Sequence, residues 1–339
     1  MRTLGDAIVV IGAGLSGLAC ARALVDAGRE VRVLERARGV GGRCATRRIE
    51  GQPIDHGPAF LHGSDPRFLA AIRGAAGQLQ PGWPTRIEGE GAPCHPASLR
   101  EDEQRFVFAE GLNALPRALA SGLPIELDST VAKIDRDEKE FAITLADGSV
   151  IRARQLILST ALEQTVALLK PLSVLLKPLR GTLALLESMA SLPCIALLAT
   201  YEKGRANVPW ELFYPADSKL LQLASFDSCK RPEPKLDAFV FQARPRWSRE
   251  HLGDGDEAWT RAILEEAARL FGPWALLPKL ARAQRWTYSR TQSGTELTAP
   301  ILHRFGDGFL GLSGDAFAFG GGAQGAFLSG VQLAERILR

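Results

Sequence analysis

The stretch "IVVIGAGLSGLACARAL" constrains this chain more than any other. Gly12, Gly14 and Gly17 form G-x-G-x-x-G between an apolar run and a helical pattern. Ala7–Ile11 reads as a short buried strand, and Leu15 to Ala27 as a helix closed by Gly28. Val31–Leu34 follows as a second strand with Glu35 at its end, completing a βαβ unit. Gly12 permits the tight turn, Gly14 lets backbone approach a pyrophosphate, and Gly17 allows helix and strand to pack closely. The free N–H groups and positive pole of the helix attract phosphate. Glu35 stands where it can accept hydrogen bonds from ribose hydroxyls, which disfavours a 2′-phosphate. Ala13, Ser16 and Arg36 complete the expected dinucleotide contacts. These residues leave NAD and FAD undecided, because both present an adenosine diphosphate.

The rest of the chain has to house that unit. At 339 residues it is long enough for two domains. "GLNALPRALASG" reads as a short helix. "IELDSTVAKIDRD", "FAITLADGSVIRAR" (turning at Asp147-Gly148) and "QLILST" read as a β-meander feeding a buried strand. From about Glu163 to Pro300, Leu-rich helical pieces alternate with the strand-like "CIALLATY", "LLQLASF" and "AFVFQARP". The amphipathic "DEAWTRAILEEAARLFG" stops at Gly272-Pro273, and "GFLGLSGDAF" returns as a strand.

A net charge of +3 is too small to argue for nucleic acid or an anionic membrane. Five cysteines without CxxC argue against a disulfide frame and a structural zinc site, so no metal is expected and the compartment is read as reducing and cytoplasmic. Arg2 and the apolar run after it have the outline of a signal peptide. Its glycines, however, sit where a strand–turn–helix needs them, and no cleavage site follows. The longest apolar stretch, "LALLESMASLPCIALLAT", is interrupted by Glu187, Ser188 and Pro193.

"RARGVGGRCATRR" supplies two flexible peptides at Gly41-Gly42 and, at Arg43, a fork suited to bidentate phosphate contact. With the opening motif and Glu35, this G-G-R resembles the FAD-binding half of the flavin amine oxidase superfamily. "DHGPAFLHGSDPRF" is similar to the segment that family passes along its flavin. "QLILST" with "ALEQTVALL" resembles its returning strand and loop, and "LSGDAF…GAFLSGVQLAERIL" its C-terminal flavin motif. "FQARPRWSREHL" and "QRWTYSRT" bring the likeness nearest to bacterial renalase-like NAD/FAD-dependent oxidoreductases.

The resemblance implies an α/β fold: an FAD-binding Rossmann-like domain of glutathione reductase/amine oxidase type with an inserted α+β substrate domain. The first would take residues 1–70, 105–162 and 298–339; the second 71–104 and 163–297. It implies non-covalent FAD held also by Gly42, Ala59, Phe60, Gly314, Asp315, Gly325 and Ala326, with Val131 lending backbone to the adenine. Asp315 would accept from ribitol hydroxyls. The last helix would bring its positive end to the isoalloxazine, with Phe327, Val331, Ala334 and Leu338 facing inward. His56 would pack beside the flavin loop, and Asp55 would cap local backbone.

The substrate pocket would draw on His62, Trp247, Trp286 and Tyr288, with Phe60 and Arg249 beside them. Each aromatic has a plain alternative as core, and His62 as a satisfied histidine. The implied reaction is hydride transfer from a small reduced substrate, with a dihydronicotinamide-type compound as the candidate, to flavin, with O2 reoxidising it. A flavin amine oxidase or dehydrogenase, or a non-catalytic dinucleotide binder, stays open. "GPAFLHG" departs from the family on the substrate side, and no lysine is placed for the flavin–water–lysine arrangement of amine oxidases.

Overall fold

A computed structural model describes Arg2, Thr3 and residues 5–339, with side chains from Gly5 onward. Met1 and Leu4, within the expected segment 1–70, lie outside the described residues. The apolar runs that lack alternation form a six-stranded sheet in the order Ile125–Glu126, Val31–Leu34, Ile8–Ile11, Gln155–Leu158, Gly308–Leu312 and Ile301–Phe305. The first five run parallel and the last antiparallel. Helices cover this sheet, so both faces of its inner strands are buried, as continuous apolar runs require.

The first helix, Leu15–Asp26, ends as expected. Gly28 takes φ 79, its N–H reaches the Val25 carbonyl and the Arg29 N–H reaches that of Leu24. The meander forms from Val131–Arg136, Phe141–Leu145 and Val150–Ala153, to which Arg2–Thr3 adds a parallel strand.

A second six-stranded sheet runs Leu280–Thr291, Ser191–Glu202, Leu236–Ala243, Leu221–Phe226, Leu212–Tyr214, Ile87–Gly89. Alternation along its strands makes two different faces. Ile195, Leu197, Ala199, Phe239 and Phe241 pack with Trp259 and Ile263 of the helix Asp256–Phe271. Ala196, Leu198, Ala238 and Val240 pack against Ile49 and Ile54. Those last two belong to a hairpin, Thr46–Ile49 with Gln52–Asp55, that the sequence reading did not assign. Its two-residue turn, Glu50-Gly51, has φ 49 and 81, the geometry of tight hairpins.

The segment 71–104 divides: Leu79–Pro81 joins a small sheet with Leu61–Gly63 and Gln104–Phe108, whereas Ile87–Gly89 edges the second large sheet. The last helix, Gly322–Leu338, lies across the first. A Cβ added at Gly330 would sit 2.1 Å from the Ser16 carbonyl oxygen, so the two backbones touch there. Its buried stripe is Ala326, Phe327, Gly330, Leu333, Ala334 and Ile337. The expected inward Leu338 is 44% exposed and Val331 only half-buried, because the contact with the first helix is centred one residue earlier in each turn.

Candidate cofactor and active site

The C-terminal ends of the parallel strands converge on the glycine turn, the place where open α/β sheets bind ligands. Gly12 has φ 106, and a Cβ there would lie 2.5 Å from the Ser159 carbonyl oxygen; one at Gly17 would lie 2.0 Å from that of Gly12. At Gly14 the same addition meets open space. The Gly41 N–H donates to the Ala13 carbonyl at 2.8 Å, which brings the Gly41–Gly42 turn against Gly14. The first helix has no side-chain cap and no acid in its first turn. Its leading N–H groups therefore keep their donor capacity for a ligand. The buried hydroxyls of Ser16, Ser159 and Ser313 have no hydrogen-bond partner. A glycine-walled opening bordered by orphaned donors fits an anionic pyrophosphate.

Glu35 ties the glycine turn to the end of the second strand. One carboxylate oxygen accepts from the Ala13 N–H at 2.7 Å and the other from the Ala37 N–H at 2.8 Å. Its carbonyl accepts from the Ser129 N–H, setting Val131 two residues beyond this contact. Arg36 is exposed at the rim.

Arg43 and Asp315, 272 residues apart, close on one another. Two parallel bonds of 2.8 and 2.6 Å join the guanidinium to the carboxylate. Asp315 also accepts from the Thr291 N–H and hydroxyl at 3.1 and 3.0 Å, and Arg43 donates to the Ser289 carbonyl at 3.3 Å. Burial pushes the Asp315 carboxyl up, but the Arg43 charge and these bonds outweigh it and hold it below its ordinary value. The sequence reading gave the two residues separate ligand contacts. The structure makes them one pair, so any ligand contact by the Arg43 fork shares it with Asp315. Nearby, the Gly314 N–H donates to the Ser329 hydroxyl at 3.2 Å. Gly320, Gly321 and Gly322 all have positive φ, and Gly325 makes the first helical bond, to Gly321. Gln324, which the sequence reading passed over, accepts from the Ser64 and Asp65 N–H groups, both at 2.8 Å. It latches this helix end to the strand that carries His62.

An aromatic wall stands beside the junction. His56 and Trp286 stack at 5.4 Å, and the Trp286 indole N–H donates to the His56 carbonyl at 2.9 Å. Burial, helped by the Arg47 charge and opposed by Asp55, pushes His56 down to about 4, so its ring is neutral near pH 7. The Gln242 amide donates to the Gly57 carbonyl at 2.7 Å, and Ala59 and Phe60 are buried just beyond. Phe60 meets Trp83 edge-on and His62 at a tilt. Tyr288 lies in a bulge where Thr287, Tyr288 and Ser289 oppose Pro193 alone, next to the Arg43 contact.

His62 takes a 2.5 Å bond from its Nδ1 to Glu103. Burial pushes its ring down, yet contacts with Cys94 and Glu103 win and raise it to about 9.

Trp247 is not part of this wall. It packs with the Ile195 face of the second sheet, stacks on His251 at 4.2 Å and borders a surface depression of about 240 Å³ with Arg261 and Glu265. Trp286 packs with the opposite face, so the sheet separates the two tryptophans. Arg249 is exposed on Trp247's short helix.

Asp55 does more than cap backbone. It accepts from the Leu112 N–H at 2.8 Å, and also from Lys230 at 3.2 Å and Arg231 at 3.1 Å. Asp227 binds the same two cations at 2.6 and 2.8 Å. Lys230, with its side chain 0% exposed, lies 4.9 Å over the Trp83 ring. The sequence found no lysine for the site; this one is buried nearby but held by two carboxylates.

Residues 10–73 match the NAD(P)-binding Rossmann-like domain, and residues 92–338 match the flavin containing amine oxidoreductases. The chain belongs to the flavin containing amine oxidoreductase family. It is an oxidoreductase family whose cofactor is FAD. Polyamine oxidase 2 of Arabidopsis thaliana is 30% identical over 159 residues, 46% of this chain and 31% of that protein. Putrescine oxidase of Kocuria rosea is 31% identical over 140 residues, 38% of this chain and 29% of the relative. These alignments thus span under a third of the curated relatives' length. Cyclohexylamine oxidase from Brevibacterium oxydans shares the fold at a TM-score of 0.72 and 16% identity, covering 98% of this chain and 99% of that one. Putrescine oxidase bound to putrescine does so at 0.70 and 15%, covering 99% and 100%. Among the described residues no helix is long and apolar enough to cross a membrane.

Proposed function

We propose that this chain is an FAD-dependent oxidase of the cytoplasm that accepts hydride from a carbon beside nitrogen in a small, flat, neutral heterocycle of dihydronicotinamide type, with O2 as final acceptor. One observation carries the choice of substrate: three carboxylates around the aromatic wall are already matched by cations. Asp55 is held by Lys230 and Arg231, Asp315 by Arg43, and Glu103 by His62. A polycation entering such a site would lose its hydration against carboxylates that already hold cations. A neutral ring loses little and gains a face against Trp286 and neutral His56.

Bound flavin supplies the two-electron acceptor; the protein supplies position and exclusion of water. In this reading the turn Gly12–Gly17, Glu35, Val131, Gly42 and the Arg43–Asp315 pair hold the cofactor along segments 1–70, 105–162 and 298–339. Trp286, Tyr288 and Phe60 orient the donor, with segments 71–104 and 163–297 shaping the pocket and Trp247 no longer among its residues. The renalase-like character of "FQARPRWSREHL" and "QRWTYSRT" supports the same substrate class. A second reading, a small amine as donor, draws on the relatives named polyamine and putrescine oxidase.

Anaerobic mixing of FAD-loaded protein with reduced nicotinamide isomers and, separately, with putrescine decides between them. Bleaching of the flavin by the nicotinamides alone is the expected result. Bleaching by putrescine alone would replace it with the amine reading, and bleaching by neither would leave a binding protein.

A further inference from the structure

The edge strand Leu280–Thr291 carries a charge that no other part of the site uses. Its register against Ser191–Glu202 sets Trp286 opposite Cys194 and Arg290 opposite Leu192. Residues paired across strands share a face, and Leu192 and Cys194, two apart on one strand, share it as well. Arg290 therefore stands on the face of Trp286 and the His56 ring stacked on it, whereas its neighbour Thr291 turns the other way and donates to Asp315. The Ser289 carbonyl beside it accepts from Arg43 at 3.3 Å. Arg290 thus sits where the Arg43–Asp315 pair meets the aromatic wall.

Arg290 is half-buried, and its guanidinium has no ion-pair or hydrogen-bond partner among the described residues. The acids nearest along these elements are occupied. Asp315 is bound by Arg43, and the two carboxylate oxygens of Glu163 accept from the Ser191 N–H and hydroxyl, both at 2.9 Å. Cys194 offers no thiolate, since burial pushes its thiol up to about 12 against the pull of the Arg290 charge. On the same side, His56 is 6% exposed and its Nδ1 is buried without a partner. A five-donor fork and a ring nitrogen, both unsatisfied by protein, point to a ligand that brings polar groups of its own.

We propose that Arg290 determines specificity at this site by pairing with a carboxylate on the rim of the flat donor, so that the substrate class is a dihydropyridine-type ring bearing an acid group. The proposal rests on the reading that Trp286 and His56 hold a flat donor ring, and adds the charge its substituent carries. A planar guanidinium meets a carboxylate through two parallel N–H donors, which fixes the rotation of the ring against the wall. The ring itself stays neutral and keeps its face for the stack; only its rim is anionic. The same residue works against amines, whose cationic head would meet an unmatched cation.

The test uses FAD-loaded protein and a pair of unreactive rings of nearly equal shape, nicotinate and nicotinamide, titrated by flavin absorbance and by calorimetry. Nicotinate should bind about tenfold or more tightly than nicotinamide at low salt. Arg290→Gln should weaken nicotinate about tenfold and leave the affinities for nicotinamide and FAD unchanged. Arg290→Lys, which keeps the charge without the fork, should recover part of the nicotinate affinity. A loss confined to the acid is a result that a merely structural arginine would not give. Equal affinities in the unaltered chain, or undiminished nicotinate binding in Arg290→Gln, overturn the proposal while the dihydronicotinamide reading stands. Binding of neither probe overturns both.

Discussion

Two groups of paired opposite charges among the described residues differ in openness. Asp55, Asp227, Lys230 and Arg231 are sealed, each side chain at most 4% exposed. They join the hairpin Thr46–Asp55 to the second sheet and leave a ligand nothing to touch. Arg43 and Asp315 bind each other as closely, yet the Arg43 side chain is 33% exposed at the convergence of both terminal motifs. Similar residues and similar distances serve a clamp in one place and, in the proposed function, a ligand cleft in the other. Solvent access, rather than charge, separates the two duties.

The largest break in that comparison comes at the sealed cluster. Lys230→Ala leaves two buried carboxylates with one cation, and should cost about 3–5 kcal/mol in urea unfolding of the FAD-loaded protein. A cost within about 0.5 kcal/mol, typical of surface changes, would deny it the role of a clamp.

Acid sharpens the comparison next. Burial raises the Asp55 carboxyl, but Lys230 and Arg231 bring it down to about 2. Above its unfolded value it therefore contributes stability on the order of 2 kcal/mol, lost as pH falls from about 4 toward 2. His56, held near 4, works in an adjoining window: the unfolded chain binds more protons between about 4 and 6.5, so stability drops as pH falls across it. His56→Gln should flatten the upper part of the pH–stability curve and leave the lower part; an unchanged slope above pH 4 would contradict the neutral buried ring.

The smallest effect separates the tryptophans. Trp286→Ala should lower kcat/KM about tenfold, roughly 1.4 kcal/mol, with FAD retained. Trp247→Ala should alter stability and leave turnover alone. Equal losses in both would mean that the sheet does not divide them as described.

Much of this was legible in order along the chain. The glycines at 12, 14 and 17 were readable because each sits where a Cβ would strike backbone or close an opening, and Gly28 because it ends a helix in left-handed conformation. Asp147-Gly148 marked the meander for a similar local reason. Pairings across the chain were not legible. Nothing near Arg43 names Asp315, and Lys230 lies in a polar stretch, "DSCKRPEPK", that gives no sign of burial. Leu280–Thr291 escaped as a strand because it is an edge strand, half-buried and rich in arginine. Trp247 was misplaced because an aromatic's sequence neighbours do not say which face of a sheet it will cover.

The central claim is that the two terminal motifs build one FAD site through Arg43 and Asp315. A double-mutant cycle on FAD affinity tests it most directly, titrating FAD into apo-protein for Arg43→Ala, Asp315→Ala and the pair. Each single change should weaken binding about 10–100-fold, with the double variant little worse than the weaker single. FAD held by both single variants as tightly as by the unaltered chain would contradict the account.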